Sequence, residues 1–251
     1  MSRISVNPAL VYTNNTKIPE TKSVVLETNE PKVSTKSQAQ YNDKAELSEK
    51  SKELKTKLSA AEKAIKIHKQ KFGDLKEPGI YFVSGFDWFG ASSVKGNYDG
   101  IRDMAKSIEG AKHYSWDDVD EIIEDIKKRE PNQPLILVGH SFGGDGIVDI
   151  ANQLNTIEHG FRKIDLLVTL DSVGMNNDLI PQNVTQNLNF MAQGPYSFLN
   201  DEPNYAANYE KTLVSNFLRH EEHAELDDTI DVQVKILDAI ENIMVSKPKI
   251  S

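Results

Sequence analysis

Residues 134–146 read Pro-Leu-Ile-Leu-Val-Gly-His-Ser-Phe-Gly-Gly-Asp-Gly, and this segment is the most informative of the sequence. Residues 135–138 form a wholly apolar run, which predicts a strand buried on both faces. Residues 139–143 then fit the pattern G-x-S-x-G around Ser141. After them, apolar residues recur at helical spacing as far as Leu154. The predicted order is therefore a strand, a sharp turn that carries a serine, and a helix.

A serine at such a turn has two interpretations. It either only caps the following helix, or it is a nucleophile held in a strained backbone conformation between glycines that permit close packing. The strand–turn–helix context resembles the nucleophile elbow of the α/β-hydrolases, and later segments resemble their lipase-like members. The resemblance implies that Ser141 is the nucleophile and that the backbone N–H of Phe142 belongs to an oxyanion hole.

Beyond residue 78 the chain alternates between strand and helix patterns. Apolar runs predict strands at 79–86, 111–115, 135–138, 164–170, 184–191 and 212–218. Amphipathic patterns predict helices at 101–108, 117–129 and 227–245. This alternation predicts an α/β fold with a mainly parallel, doubly wound sheet of about six strands flanked by helices, as in a minimal α/β-hydrolase. Ligands of such sheets bind at the carboxyl ends of the strands, where Ser84, Ser141 and Asp171 fall.

The N-terminal part of the chain has a different composition. Residues 1–41 are rich in Ser, Thr, Asn, Lys and Pro, which predicts a disordered tail. Residues 42–74 contain an amphipathic helix with a thin apolar stripe, and residues 76–251 form the predicted catalytic domain. The helix either lies on the catalytic domain or offers its stripe to a protein partner through a coiled coil. The members of the stripe are Leu47, Leu54, Leu58, Ala61, Ile65, His68 and Phe72.

Composition excludes several kinds of chemistry. The sequence has no cysteine, which rules out thiol nucleophiles, cysteine-ligated zinc, iron–sulfur clusters and disulfides. The net charge of −9 is unevenly distributed, because residues 79–251 hold 14 basic and 28 acidic side chains. An acidic catalytic region argues against a nucleic-acid partner.

No apolar run approaches the length of a membrane span, so no transmembrane segment is expected. The N-terminus also lacks the apolar core of a secretory signal peptide. The cytoplasm is therefore the default location, and export by a route independent of a signal peptide is left open.

A histidine should act as the base that activates the serine. The hydrolase order Ser, Asp, His leaves His220 and His223, which precede the last helix. His223 is preferred, because residues 223–228, His-Ala-Glu-Leu-Asp-Asp, resemble the H-x-x-[IL]-D segment that carries the histidine in some lipase-like hydrolases. Leu226 would anchor this loop in the core, and Asp227 would cap the last helix. The two histidines lack H-E-x-x-H spacing, so neither a metal nor another cofactor is expected.

The acid of the triad is expected to be Asp171. Residues 168–174, Val-Thr-Leu-Asp-Ser-Val-Gly, resemble the L-D-P-x-G turn that carries the aspartate in pancreatic-type lipases, with Ser172 in place of the proline. A buried carboxylate at this place would hold the imidazole in its working tautomer. Asp178 and Asp201, which lie in longer loops, are the rival acids.

The second donor of the oxyanion hole is expected to be the backbone N–H of Phe86. Residues 84–86, Ser-Gly-Phe, resemble the His-Gly-Phe of lipases, with Ser84 in place of the histidine. Five aromatic side chains either line an acyl pocket near these strand ends or belong to the ordinary core. They are Trp88, Phe89, Phe190, Tyr196 and Phe198.

Together these features predict a lipase- or esterase-like serine hydrolase that cleaves carboxylic esters through an acyl-enzyme intermediate, with a small acyl ester or a lipid as substrate. A thioesterase or acyltransferase would use the same triad of Ser141, Asp171 and His223. A hydrolase-fold binding protein without activity is the alternative from another class, and the N-terminal arm would then be its interaction element.

Overall fold

The computed structural model describes residues 35–71, 79–85, 100–173, 178–193 and 201–246, and in the first range the side chains of residues 48–67. Within these residues, six strands form one parallel sheet: β1 (Gly79–Ser84), β2 (Lys112–Ser115), β3 (Leu135–His140), β4 (Ile164–Leu170), β6 (Val184–Ala192) and β8 (Leu213–Arg219). Their order across the sheet is β2-β1-β3-β4-β6-β8, and every neighbouring pair is parallel. Two short strands, β5 (Leu179–Ile180) and β7 (Tyr205–Ala206), pair with each other beside the sheet.

Helices cover both faces of the sheet. They are α1 (Thr35–Lys71), α2 (Gly100–Ser107), α3 (Val119–Lys127), α4 (Phe142–Leu154) and α5 (Ile230–Val245), and residues His223–Glu225 add a short 3₁₀ helix. Side chains of α2 and α5 share one apolar cluster with the sheet, and side chains of α3 and α4 share another. The predicted α/β class and the doubly wound, parallel sheet of about six strands are therefore confirmed.

The central strand β3 shows why the sequence forms a sheet between two helical layers. Ile136 and Val138 pack in the cluster with α2 and α5, whereas Leu135 and Leu137 pack in the cluster with α3 and α4. All four side chains are fully buried. Because side chains alternate between the faces of a strand, a continuous apolar run is what a doubly covered strand requires.

Helix α1 lies along α5 and joins the cluster on that face. Ala61, Ala64 and Ile65 are buried there, and Lys57 Nζ lies 2.6 Å from Asp238 Oδ1 on α5. The described part of the predicted stripe thus covers the protein's own core, and a protein partner for this helix stays a prediction. The helix begins at Thr35, earlier than the predicted residue 42, and residues 35–41 contain no glycine or proline that would end it.

Residues 1–34 and Phe72 lie outside the described residues, and so do the side chains of Leu47 and His68 in the stripe. The last helix begins at Ile230, three residues after the predicted start, because Thr229 is its N-cap. Strands β5 and β7 were not predicted, since two-residue strands leave no periodic pattern in the sequence. In the described parts of the chain, no helix combines the length and apolarity needed to cross a membrane.

Candidate active site

Ser141 lies between β3 and α4 in a strained backbone conformation, with φ 56° and ψ −129°. Its own N–H donates to the carbonyl of Leu170 at 3.0 Å, which fixes the turn against β4. The flanking glycines are required by close approach, because a Cβ at Gly139 would overlap the carbonyl of Gly143 and a Cβ at Gly143 would overlap that of Val83. The turn at Ser141 therefore has the strained backbone and the closely packed glycines that were predicted from the sequence.

His223 contacts both of the other predicted triad residues. Its Nε2 lies 2.9 Å from Ser141 Oγ, and its Nδ1 lies 2.7 Å from Asp171 Oδ2. His223 starts the 3₁₀ helix after β8, and Leu226, three residues later, is fully buried in the core. The side chain of His223 is 25 % exposed, so the ring is held by its partners and still open to solvent on one side. His220, the alternative base, is exposed.

Asp171 is fully buried directly after β4. Its Oδ1 accepts the backbone N–H groups of Ala192 at 2.8 Å and Asp201 at 3.0 Å, and its Oδ2 faces His223. Donors on both oxygens compensate the cost of burying a carboxylate. Asp171 also has φ 43°, and its N–H donates to the carbonyl of Phe190 at 2.7 Å. The turn therefore directs the carboxylate to the histidine without the proline of the lipase pattern.

The rival acids have other surroundings. Burial raises the pKa of Asp201 to about 8, and the nearby charges of Asp171 and Asp178 add to the shift. Asp201 Oδ1 accepts the N–H of Glu202 at 2.9 Å, and its Oδ2 has no hydrogen-bond partner among the described residues. Burial also raises the pKa of Asp178. Asp201 thus contributes its backbone N–H to the site, whereas the carboxylate that contacts His223 Nδ1 is that of Asp171.

A buried amide network holds the segment that carries Asp201. Asn189 Nδ2 donates to the carbonyl of Glu202 at 2.9 Å, and Asn204 Nδ2 donates to Thr169 Oγ1 at 3.1 Å. Asn216 Oδ1 accepts the backbone N–H of Asn204 at 2.8 Å. These side chains lie on β4, β6, β8 and the loop before β7, so they tie that loop to the sheet. This support was not predicted from the sequence, although the asparagines within the apolar strand 184–191 indicated polar contacts there.

Of the two predicted oxyanion donors, only Phe142 lies within the described residues. Phe142 is the first residue of α4, where backbone N–H groups have no acceptor within the helix. Phe86 lies outside the described residues. Its neighbour Gly85 lies against Ser141, because a Cβ there would be 2.6 Å from Ser141 Cβ. Ser84, which replaces the histidine of the lipase pattern, has its Oγ 2.7 Å from His113 Nε2.

Only one of the five aromatic residues considered for an acyl pocket lies within the described residues. Phe190 is 1 % exposed and stacks on Phe217 at a centroid distance of 4.9 Å, so it belongs to the core. Two other aromatic rings, one of them on the first residue of α4, are partly exposed. Phe142 and Trp116 are 42 % and 36 % exposed, and their centroids are 5.6 Å apart. The pair was missed because Trp116 follows β2, far from the serine in sequence.

No group of three side chains that could hold a metal ion occurs within the described ranges. The chemistry that the arrangement can perform is that of a serine hydroxyl with a histidine base and a buried carboxylate.

No model of a known protein family matches the sequence, and no curated protein matches it. Among solved structures, the chain is similar to XC6422 from Xanthomonas campestris, described as an α/β serine hydrolase without a lid. The similarity has a TM-score of 0.40 and 13 % sequence identity, and it covers 70 % of this chain and 89 % of the other. A similarity of this degree is too weak to assign a function.

Proposed function

We propose that the protein is a serine hydrolase that cleaves carboxylic esters through an acyl-enzyme intermediate. The observation that supports the proposal is the continuous chain of short contacts from Ser141 Oγ through both nitrogens of His223 to the buried carboxylate of Asp171, at 2.9 and 2.7 Å. A nucleophile, a base and an orienting acid within hydrogen-bond reach of one another are the requirements for activating a serine.

In the acylation step, Ser141 Oγ attacks the ester carbonyl carbon while His223 Nε2 takes the hydroxyl proton. The carbonyl oxygen becomes an oxyanion, for which the backbone N–H groups of Phe142 and Phe86 are the proposed donors. When the tetrahedral intermediate collapses, the alcohol leaves with the proton from His223 Nε2, and the acyl group stays on Ser141. Asp171 holds Nδ1 protonated and stabilises the imidazolium that forms in between.

In the deacylation step, water replaces the alcohol. His223 takes a proton from the water as it attacks the acyl carbon, and returns the proton to Ser141 Oγ as the carboxylic acid is released. A thiol leaving group, or an acyl acceptor other than water, would use the same atoms. We propose an ester as the substrate and water as the acyl acceptor. The reaction products distinguish these from a thioester substrate and from acyl transfer to another acceptor.

The surroundings of Ser141 favour a neutral substrate with an apolar group. The exposed rings of Trp116 and of Phe142, the residue after Ser141, offer apolar contact area. The excess of acidic side chains in residues 79–251 disfavours anionic substrates at long range. A small acyl ester, or a lipid ester with an uncharged head group, fits both observations.

Labelling with a fluorophosphonate probe, followed by peptide mapping, tests the proposal directly. We expect one labelled site, Ser141, and no labelling of Ser141→Ala. The labelled protein should also lose its hydrolysis of a short nitrophenyl ester. Hydroxylamine should trap the acyl group as a hydroxamate in the unlabelled enzyme, since an acyl ester on serine reacts with this nucleophile.

Ser84→Ala is the matched control, because Ser84 Oγ also lies within 2.7 Å of a histidine nitrogen. This variant should still be labelled at Ser141. Folded protein that stays unlabelled across a broad pH range would contradict the proposal and favour a binding protein without activity. Transfer to a thiol or amine in preference to water would favour an acyltransferase.

A further inference from the structure

His140 is the last residue of β3 and directly precedes Ser141. Its side chain is 12 % exposed. The imidazole does not point away from the site, as an adjacent residue on a strand would be expected to do. Its ring lies 5.0 Å from the ring of His223, at an interplanar angle of 33°. His140 and Ser141 thus both contact His223, Ser141 at a ring nitrogen and His140 at the backbone carbonyl.

The contact of His140 with His223 fixes the tautomer of His140. His140 Nε2 lies 2.9 Å from the backbone carbonyl oxygen of His223. A carbonyl oxygen only accepts hydrogen bonds, so the proton must lie on His140 Nε2. The bond reaches the main chain of His223 and leaves both nitrogens of the His223 ring for Ser141 and Asp171.

Asp227 faces the other nitrogen of His140, with Oδ1 3.7 Å from Nδ1. This carboxylate is itself held in place, because its Oδ2 accepts the N–H of Ile101 at 3.2 Å at the start of α2. Gln233 Nε2 on α5 donates to the carbonyl of Asp227 at 2.7 Å. The prediction that Asp227 caps α5 is therefore wrong, because Thr229 is the N-cap. The Asp227 carboxylate instead accepts the N–H of Ile101 in the first turn of α2.

We propose that His140 is a positioning residue, which sets the place of the His223 backbone through the bond from its Nε2 and thereby the distance between His223 Nε2 and Ser141 Oγ. The inference rests on the proposed function. The 3₁₀ helix at His223 is only three residues long, and a backbone hydrogen bond from the N–H of Glu225 to the carbonyl of Glu222 closes it at 2.9 Å. The bond from β3 fixes this helix to the strand that also carries the nucleophile, so base and nucleophile share one rigid support.

Two substitutions separate the hydrogen bond from the packing. His140→Leu fills much of the ring's volume without a donor, whereas His140→Gln places an N–H donor near the position of Nε2. We expect His140→Leu to lower kcat about 10- to 100-fold with KM nearly unchanged, because a displacement of about 1 Å costs rate and leaves substrate binding intact. His140→Gln should recover kcat to within about threefold of the wild type. His159→Leu, at a histidine outside the site, is the control.

A second measurement does not depend on activity. Long-range ¹H–¹⁵N spectra of the imidazoles should show His140 with its proton on Nε2 in the wild type, and Asp227→Asn should change the ¹⁵N shift of His140 Nδ1. A neutral His140 with the proton on Nδ1 would overturn the inference. So would an active wild type in which His140→Leu keeps full kcat, or in which His140→Gln is as slow as His140→Leu at equal thermal stability. An inactive wild type with the expected tautomer would instead contradict the proposed function alone.

Discussion

The backbone N–H of Asp201 donates to Oδ1 of Asp171 at 3.0 Å, although the two residues carry carboxyl groups that would repel each other if both were ionised. The structure resolves the conflict by burial, which raises the pKa of Asp201 to about 8 and keeps its carboxyl neutral at pH 7. The segment at Asp201 can therefore approach the acid of the proposed triad closely and support it through the main chain.

This pairing predicts how stability depends on pH. Native Asp201 keeps a proton that the unfolded chain releases near pH 4, so the free energy of unfolding should fall as pH rises from about 4 to about 8, by on the order of 1 kcal/mol per pH unit. Asp201→Asn removes this contribution, so its advantage over the wild type should grow across that window and level off above it. Urea unfolding at several pH values measures the difference. Asp149→Asn, at an exposed carboxyl on α4, is the control, and equal pH slopes in all three proteins would contradict the prediction.

The two histidines near the end of the chain should differ sharply. His223→Ala removes the only histidine nitrogen shown in contact with Ser141 Oγ in the described residues, and should lower turnover of a short nitrophenyl ester by about 10³-fold or more. His220→Ala should cost less than about tenfold, because its side chain is exposed. An inactive His220→Ala together with an active His223→Ala would show that His220, and not His223, is the base.

The exposed ring of Trp116 should select for apolar acyl groups. Trp116→Ala should lower kcat/KM for nitrophenyl octanoate relative to nitrophenyl acetate by about tenfold, since the lost contact area corresponds to about 1–2 kcal/mol. The comparison of chain lengths isolates binding of the acyl group from the chemical step. Ile157→Ala removes an apolar side chain that is 85 % exposed away from the strand ends, and should leave the ratio unchanged. A ratio that stays constant in Trp116→Ala would place the acyl group elsewhere.

Two glycines of α4 should differ in how well they tolerate substitution by alanine. Gly143→Ala would push a methyl group into the carbonyl of Val83 and should lower the free energy of unfolding by about 3 kcal/mol or more, with loss of activity. At Gly146 the nearest atom to a Cβ would be the carbonyl oxygen of Trp116, at 3.2 Å. Gly146→Ala should therefore change stability by about 1 kcal/mol or less, because the better helix propensity of alanine offsets the tight contact. Thermal unfolding and fluorophosphonate labelling measure both effects.

Helix α1 should contribute to the stability of the catalytic region. Ile65→Ala should lower the free energy of unfolding by about 2–4 kcal/mol, since Ile65 is 1 % exposed in the cluster with α5. Lys63→Ala, at an exposed position of the same helix, should have little effect. The predicted domain of residues 76–251 should still fold, with a lower Tm, because it loses the cover of α5. A fragment that unfolds completely would move the domain boundary into α1.

Local patterns in the sequence predicted the parts of the fold that depend on local hydrophobicity. The apolar runs that became β3 and β4 were found because a strand covered on both faces has no polar positions. The glycines at 139 and 143 pointed to the turn at Ser141, since close packing there leaves room for no side chain. The order of the segments then narrowed the candidate base and acid to a few residues, although the roles of Ser141, Asp171 and His223 stay predictions.

The parts that were missed depend on contacts between distant segments. Nothing near Asp227 in sequence shows that its carboxylate meets the start of α2, which lies 126 residues away. The contact of His140 with the main chain of His223 spans 83 residues, and that of Asn189 with Asn216 spans 27. Periodicity describes which face of an element is buried, but it does not say which polar groups will meet across the sheet.

The separation of the proposed triad along the chain has a consequence for folding kinetics. Ser141 and His223 are 82 residues apart, and Asp171 and His223 are 52 apart, with β4, β6 and β8 to be paired in between. Closing such long loops is slow, and no partly folded intermediate that lacks β8 can bring the three side chains together. The return of the proposed esterase activity after dilution from denaturant should therefore follow the slowest refolding phase, in which the sheet is completed by pairing of β8.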